Sequence, residues 1–325
     1  MVWEGRELLL LRHGKSDWSR ELPDFDRPLK KRGRQGAQRI GAWLQQEALV
    51  PDYVLSSPAE RARQTADLCC KALGMDAASV HPDRRLYLAD TAALRRALAR
   101  VPDECRRVLL VGHNPGLEEL LLALAEPAPE RTDDGKLLTT ATLAHLRFGL
   151  SHWHNLTACS GELVQLVQAR SLDHRFPFPH AHERQEWRPR PAYYYHQAAA
   201  IPYRYCHGRL EILLTGSGNG KHWRLPQGVV APGRSEANTA RDQALAQGGV
   251  VGEIQLPCLG YFRREKWGAD CEVAVYGLEV VRVLEDAQWP EAPRGRQWLE
   301  AARASQLVRQ PGVGRLITKL ARLLA

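Results

Sequence analysis

Three short stretches collect residues suited to handling a phosphoryl group. LLLLRHGKSDW places Arg12, His13 and Gly14 directly after an apolar run. SSPAERARQTA supplies Ser57 and Arg61, and VLLVGHNPG supplies His113. Imidazole is nucleophilic near neutral pH, and a covalent intermediate divides one difficult displacement into two easier ones. Phosphoryl transfer otherwise needs positioning and stabilisation of charge on the equatorial oxygens. Two planar guanidinium forks supply that without a metal ion. Taken singly, each stretch has an ordinary explanation. RHG occurs by chance, Arg61 could form a surface ion pair, and His113 could be a loop histidine. Their common placement makes the case for a site.

That placement follows from the elements around them. Glu7–Leu11, Tyr53–Leu55 and Val108–Val111 are short apolar runs bounded by turn residues, so they read as buried strands of a largely parallel sheet. Helical spacing of Ala37, Ile40, Gly41 and Leu44 falls between the first two, and Ala62–Leu73 and Leu117–Leu124 also read as helices. Strand alternating with helix is the α/β pattern. Thr142–Phe148 and Glu162–Gln168 are expected to be closing strands. In open α/β sheets ligands bind beyond the carboxyl ends of strands. Arg12, His13, Ser57, Arg61 and His113 all fall there. Arg61 also enters the first turn of a helix, whose free N–H groups favour phosphate, and Gly14 permits a close turn of the chain.

LLRHGKSDW, DFDRPLKKRG, SSPAERARQTA, RLYLAD and VGHNPGLEEL together resemble the histidine phosphatase superfamily, and HNPG with the short spacing resembles its SixA-type phosphohistidine phosphatases. The resemblance covers about residues 6–172. It implies that His13 attacks phosphorus and is transiently phosphorylated, with Arg12, Arg61 and His113 around the phosphoryl oxygens and Gly14 and Ser57 beside the substrate. Larger members protonate the leaving group with a carboxylate. Between Arg61 and His113 the candidates are Asp83 and Asp90, and both read as ordinary surface carboxylates. A phosphoramidate substrate makes that acid less necessary.

Beyond a proline-rich stretch at 173–191, read as a linker, the region 192–325 resembles a Nudix domain. The resemblance rests on AAIPYR, WRLPQG, a helix ending in GGV, CEVAVYGLEVV and RQWL, and within that fold it points to the diphosphoinositol and dinucleoside polyphosphate branch. Arg209–Thr215 and Glu272–Val281 read as strands, and Trp298–Ala304 and Val313–Leu324 as helices. The catalytic box is broken. Counting from Gly228, the first glutamate position holds Arg234, and the Arg-Glu-x-x-Glu-Glu helix positions hold Asp242, Gln243, Ala246 and Gln247. Sliding the frame by one residue puts Asp242 in one glutamate position but Leu245 and Ala246 in the others, so no frame restores the carboxylate cluster that binds Mg²⁺ in that family. Arg204, Lys221, Arg224 and Arg263 are candidates for an anion site there, accompanied by His222, Arg264, Lys266 and the aromatics Trp223, Tyr261 and Trp267. A solvated loop face with structural aromatics is the alternative.

Composition bounds these readings. The 325 residues suit two domains, 1–172 and 192–325, and 44% hydrophobic with 25% charged residues excludes a disordered or collagenous chain. No apolar run reaches a membrane span, and the start lacks a signal-peptide pattern. Seven cysteines without a CxxC pair argue against a disulfide or zinc framework and for the cytoplasm. A net charge of +8 favours anionic partners. The expectation is a histidine-phosphatase α/β sandwich with a central mostly parallel sheet, followed by a Nudix-like α/β/α domain. It acts as a metal-independent phosphatase without cofactor, and its partner is a phosphorylated histidine-phosphotransfer protein or a small polyphosphorylated ligand, with no nucleic acid and no membrane. Hydrolysis of a small phosphoanhydride or nucleotide polyphosphate, or non-catalytic sensing of a phosphorylated ligand, are the alternatives.

Overall fold

The computed structural model describes residues 5–129, 135, 137–178, 186–216, 222–255, 257–289 and 291–325. The chain divides into two compact units, Met1–Trp187 and Arg188–Ala325.

The first unit is built around strand β1, Arg6–Arg12. Its leucine run alternates between two cores. Leu8 and Leu10 pack with Leu94, Leu98, Leu117 and Leu121, whereas Leu9 and Leu11 pack with Ile40, Leu44, Ala66 and Cys69. A strand covered on both faces needs no polar alternation, so the sequence reads as unbroken leucine. The covering helices are α1 (Lys31–Gln46) and α2 (Glu60–Leu73) on one face, and α3 (Thr91–Leu98) and α4 (Gly116–Leu124) on the other. The remaining strands are β2 (Tyr53–Ser56), β3 (Val80–Pro82), β4 (Arg107–Gly112), β5 (Ala125–Glu126), β6 (Thr142–Phe148) and β7 (Gly161–Gln168). They order as β3-β2-β4-β1-β6-β7-β5. β3, β2, β4 and β1 run parallel, and β6 turns antiparallel to β1. Helices α1 and α2 cross closely because Gly41 has no side chain. A Cβ there would collide with the Cys69 carbonyl.

Two three-residue strands, β8 (Phe176–Phe178) and β9 (Glu186–Arg188), occupy part of the stretch 173–191 read as a linker, and a turn at Ala192–Tyr195 follows it. Its residues 179–185 lie outside the described part.

The second unit is an α/β/α sandwich. β10 (His196–Cys206), β11 (Arg209–Gly216), β12 (Trp223–Arg224), β14 (Val250–Glu253) and β16 (Ala269–Val283) form its path β12-β11-β10-β16-β14. β13 (Gln227–Val229), β15 (Gly260–Lys266) and β17 (Arg296–Glu300) pair with β10, β16 and β11 respectively. Helix α5 (Glu236–Gly248) covers one face through Ala240 and Ala244. Helices α6 (Ala301–Leu307) and α7 (Pro311–Leu323) cover the other through Ala304, Val313, Ile317 and Leu320. The segment Trp298–Ala304 was expected to be helical throughout, but its first three residues belong to β17 and the helix starts at Ala301. Pairing with Ile212 and Leu213 of β11 sends Leu299 and Trp298 to opposite cores, which overrides the local helical tendency. Among the described residues, no helix is long and apolar enough to cross a membrane.

Candidate active site

Strand register brings the two histidines together. β1 and β4 are parallel neighbours with Arg12 opposite Gly112, so His13 and His113 leave adjacent strand ends side by side. Neighbouring strands lie ~4.8 Å apart, and the two rings have centroids 5.0 Å apart. The His13 N–H donates to the Gly112 carbonyl at 3.1 Å, which extends the ladder by one residue. Gly14 then passes against the start of α1. A Cβ on it would lie 2.6 Å from the Gly33 carbonyl oxygen, so no larger residue fits this turn. The Gly14 N–H donates to Thr65 Oγ1 of α2 at 3.0 Å, which ties the turn to the helix carrying Arg61.

The tautomer of His13 is set by the backbone. His13 Nδ1 lies 2.7 Å from the Gly14 carbonyl oxygen. A carbonyl only accepts, so Nδ1 carries the hydrogen and Nε2 keeps its lone pair. Arg61 Nε donates to that lone pair at 3.3 Å. Burial, reinforced by the charges of Arg61 and Arg12, pushes the His13 pKa down to about 4 against the pull of the Gly14 carbonyl and Asp24. His113 goes down to about 3, again mainly through burial, with His13 and Arg61 adding to it. Both rings are therefore neutral at pH 7, so His13 Nε2 offers its lone pair without prior deprotonation. The acid limb of kcat/KM, corrected for ionisation of the substrate, is expected near pH 4. A limb near the ordinary imidazole value of ~6.5 would show that the ring is solvated.

The surrounding groups form a cationic cradle. His113 Nε2 is 2.8 Å from Ser57 Oγ, while its Nδ1 is buried without a partner among the described residues. Arg12 Nη1 donates to the Leu138 carbonyl at 2.6 Å, and its Nε is likewise buried without a partner among them. Burial lowers the Arg12 pKa, and Glu118 counters it. Glu118 itself accepts from the Leu137 and Leu138 N–H groups at 3.2 and 2.9 Å and from Asn114. Those of the nitrogens that carry a hydrogen are donors that phosphoryl oxygens could satisfy.

One carboxylate at this site was not among the sequence candidates. Asp24 Oδ2 accepts from Arg61 Nη2 at 2.8 Å and from the Tyr87 hydroxyl at 2.8 Å. Arg61 Nη1 donates to the Asp24 carbonyl. Partial burial works to raise the Asp24 pKa, but the hydrogen bonds from Tyr87 and Arg61 and the charges of Arg61 and Arg27 outweigh it and hold the carboxyl low. Tyr87 packs edge-on against His113, with ring centroids 5.6 Å apart. The terminal nitrogens of Arg61 are therefore engaged by Asp24, and an arriving phosphoryl group competes with it. The two carboxylates weighed from the sequence do other work. Asp83 pairs with Arg85 at 2.7 Å, and Asp90 caps α3 by accepting from the Ala93 N–H at 2.7 Å.

The second unit disperses the residues expected to form an anion site. Arg204 is already paired with Glu211 at 2.7 Å and stacks 4.0 Å from the Trp298 ring. Lys221 lies outside the described residues. Arg263 stands opposite Glu272 in the β15–β16 ladder. Alternation puts Arg263 on the face opposite Arg264 and Lys266. Arg224 does join Arg264 and Lys266 electrostatically. Burial is the main cause lowering the pKa of each; Arg294 adds to it at Arg224, Arg224 at Arg264, and Arg264 and Arg224 at Lys266. Among the described residues, the Nε atoms of Arg224 and Arg264 are buried without partners. The broken box offers no cation site. Arg234 forms an ion pair with Asp242, and Gln247 donates to Gln243 Oε1 at 2.6 Å and to the Gln227 carbonyl at 2.9 Å. An arginine and two amides stand where a divalent metal needs carboxylates, so this donor set does not fit Mg²⁺.

Comparison with known proteins agrees with the first unit. The family description "Histidine phosphatase superfamily (branch 1)" matches residues 8–87. A protein of Mycobacterium leprae is 32% identical over 161 residues, 47% of this chain and 96% of that one. One of Mycobacterium tuberculosis is 37% identical over 115 residues, 35% of this chain and 70% of that one. The first unit is a catalytic domain of the histidine phosphatase superfamily. Among solved structures, the protein histidine phosphatase SixA complexed with tungstate is 22% identical over 51% of this chain and 99% of that chain, with a TM-score of 0.43. An Ap4A hydrolase of C. elegans is 20% identical over 40% of this chain and 96% of that chain, with a TM-score of 0.36.

Proposed function

We propose that this chain is a metal-independent phosphatase that works through a phosphohistidine on His13, and that its substrate is phosphohistidine on a protein. The observation that carries the reading is the neutral His13 ring. Its Nδ1–H is anchored to Gly14, and its Nε2 lone pair is directed at Arg61. In the first half-reaction Nε2 attacks phosphorus, the P–N bond to the substrate imidazole breaks, and Arg12, Arg61 and His113 hold the phosphoryl oxygens. In the second, water attacks the phosphorylated His13 and releases phosphate. A protein phosphohistidine suits a site whose nearby carboxylate is held ionised, because a P–N bond makes little demand on an acid. Parallel turnover of a phosphorylated histidine-phosphotransfer protein, a dinucleoside polyphosphate and an alkyl phosphate tests it. Turnover of the first is expected to exceed the others and to survive EDTA. Loss of turnover in EDTA with restoration by Mg²⁺ would overturn it.

A second reading concerns the second unit. Among the described residues, Arg224 and Arg264 carry buried guanidinium nitrogens without partners, and Lys266 is crowded by Arg264, Arg224 and Arg190. We infer that a polyphosphorylated ligand fills this cluster and is not hydrolysed, since the box lacks its carboxylates. Short polyphosphate is expected to bind the full chain less tightly as salt rises, because screening acts over about 8 Å at physiological ionic strength. Arg264→Gln is expected to weaken that binding while phosphatase turnover stays unchanged. Equal affinity in wild type and variant would sink the assignment.

A further inference from the structure

We propose that Asp103, His152 and His154 form a zinc-class metal site on the first unit, separate from the phosphoryl pocket and independent of the function assigned to it. These three residues each bring one ligand atom within 4.8 Å of the others. Asp103 Oδ2 and His152 Nδ1 are 3.0 Å apart, and the His152 and His154 rings lie nearly parallel with centroids 5.2 Å apart. Zinc binds imidazole nitrogen and carboxylate oxygen at ~2.0–2.2 Å, so ligand atoms around a tetrahedral ion stand about 3.3 Å from one another. The Asp103–His152 spacing is already near that value. His154 reaches it by a side-chain rotation, for which all three residues are exposed enough.

The backbone that presents these groups is tied down from beneath. Trp153, between the two histidines, is fully buried, and its Nε1 donates to the Cys105 carbonyl at 2.7 Å. Arg6 Nη2 donates to the Asp103 carbonyl at 2.6 Å and also to the Ser151 carbonyl. Two segments almost fifty residues apart are thereby fixed to each other, and the three ligand side chains project from a rigid base. An ordinary ion pair explains Asp103 and His152. It does not explain His154, which makes no hydrogen bond or ion pair among the described residues and stacks beside its neighbour. Two imidazoles and one carboxylate select zinc or a neighbouring transition metal over calcium or magnesium, which favour all-oxygen sets. Three protein ligands leave a coordination position for water.

The site lies at the strand starts. Arg6 opens β1, and His13 follows its far end. At ~3.3 Å rise per residue the two places are roughly 20 Å apart. The metal therefore belongs to the stability or surface chemistry of the unit, not to phosphoryl transfer.

Metal-stripped full-length protein, titrated with Zn²⁺ against a chromophoric chelator, is expected to bind one ion that His154→Ala and His152→Ala each weaken by about tenfold or more. Co²⁺ in place of Zn²⁺ is expected to give visible d–d bands that the same variants abolish. Phosphatase turnover of both variants is expected to equal wild type, which separates failure of this proposal from failure of the catalytic reading. Zn²⁺ affinity and Co²⁺ spectra identical in wild type and both variants would overturn the site.

Discussion

Replacing His13 with alanine is expected to lower phosphatase turnover by at least ~10⁴-fold, the scale seen when a covalent nucleophile is removed. The fold should persist. His13 contributes a hydrogen bond from its backbone N–H to Gly112, which alanine keeps; alanine loses the ring contact with His113 and the ring's hydrogen bonds with the Gly14 carbonyl and Arg61, all of them within the site. Deleting the ring leaves Arg12 and Arg61 in place to bind phosphate, so orthovanadate or tungstate should still bind even as turnover vanishes. Circular dichroism and the denaturant midpoint check the fold, and an oxyanion titration checks the cradle. Turnover within tenfold of wild type would remove His13 from the mechanism.

The next largest effect is expected at Arg61. This guanidinium donates to the nucleophile's Nε2 and faces Asp24 with both terminal nitrogens. Removing one preorganised donor from developing phosphoryl charge typically costs about 10²–10³-fold in rate. Arg61→Ala should fall in that range or below it, because the side chain also orients His13. Arg61→Lys keeps a charge but not the planar fork, so it should recover only part of the loss. Asp24→Asn should act in the opposite direction on oxyanion affinity. It removes a carboxylate that competes for Arg61 and repels the incoming phosphoryl group, so vanadate should bind more tightly, whereas Arg61→Ala binds it more weakly. The same sign for both variants would show that Asp24 serves to aim Arg61 and does not block it.

How far the sequence carried these conclusions depends on the range of the interactions involved. The central strand was legible because burial on both faces demands an unbroken apolar run, and Leu8–Leu11 is one. Arg12, His13, Ser57, Arg61 and His113 were legible because each immediately follows or closely succeeds such a run. Asp24 and Tyr87 were missed for the opposite reason. They lie 37 and 26 residues from Arg61 along the chain, and only the folded loop brings Asp24 onto its guanidinium. Between Arg61 and His113 the candidate acids are Asp83 and Asp90, and these serve an ion pair and a helix cap. DFDRP, an acidic and aromatic cluster closed by proline, was the available signal.

The second unit shows the same limit in a sheet. Arg263 and Arg264 are adjacent in sequence, yet period-two alternation sends them to opposite faces. Once β15 is recognised as a strand, that separation can be read directly, but its exposed charges hid it. Arg204 looked like a free cation until register placed Glu211 across from it. The excess of basic residues lies almost entirely in the second unit, but charge alone says nothing about which cations are already paired.

The central claim is a covalent phosphohistidine at residue 13, and trapping it tests the claim most directly. Wild-type protein is mixed with substrate labelled in the phosphoryl group, quenched in alkali within its first turnovers, digested and mapped by mass spectrometry. A label stable in alkali, lost in acid and located on His13 is the expected result. A label on another residue, or active turnover with no protein-bound label at any quench time, would contradict it.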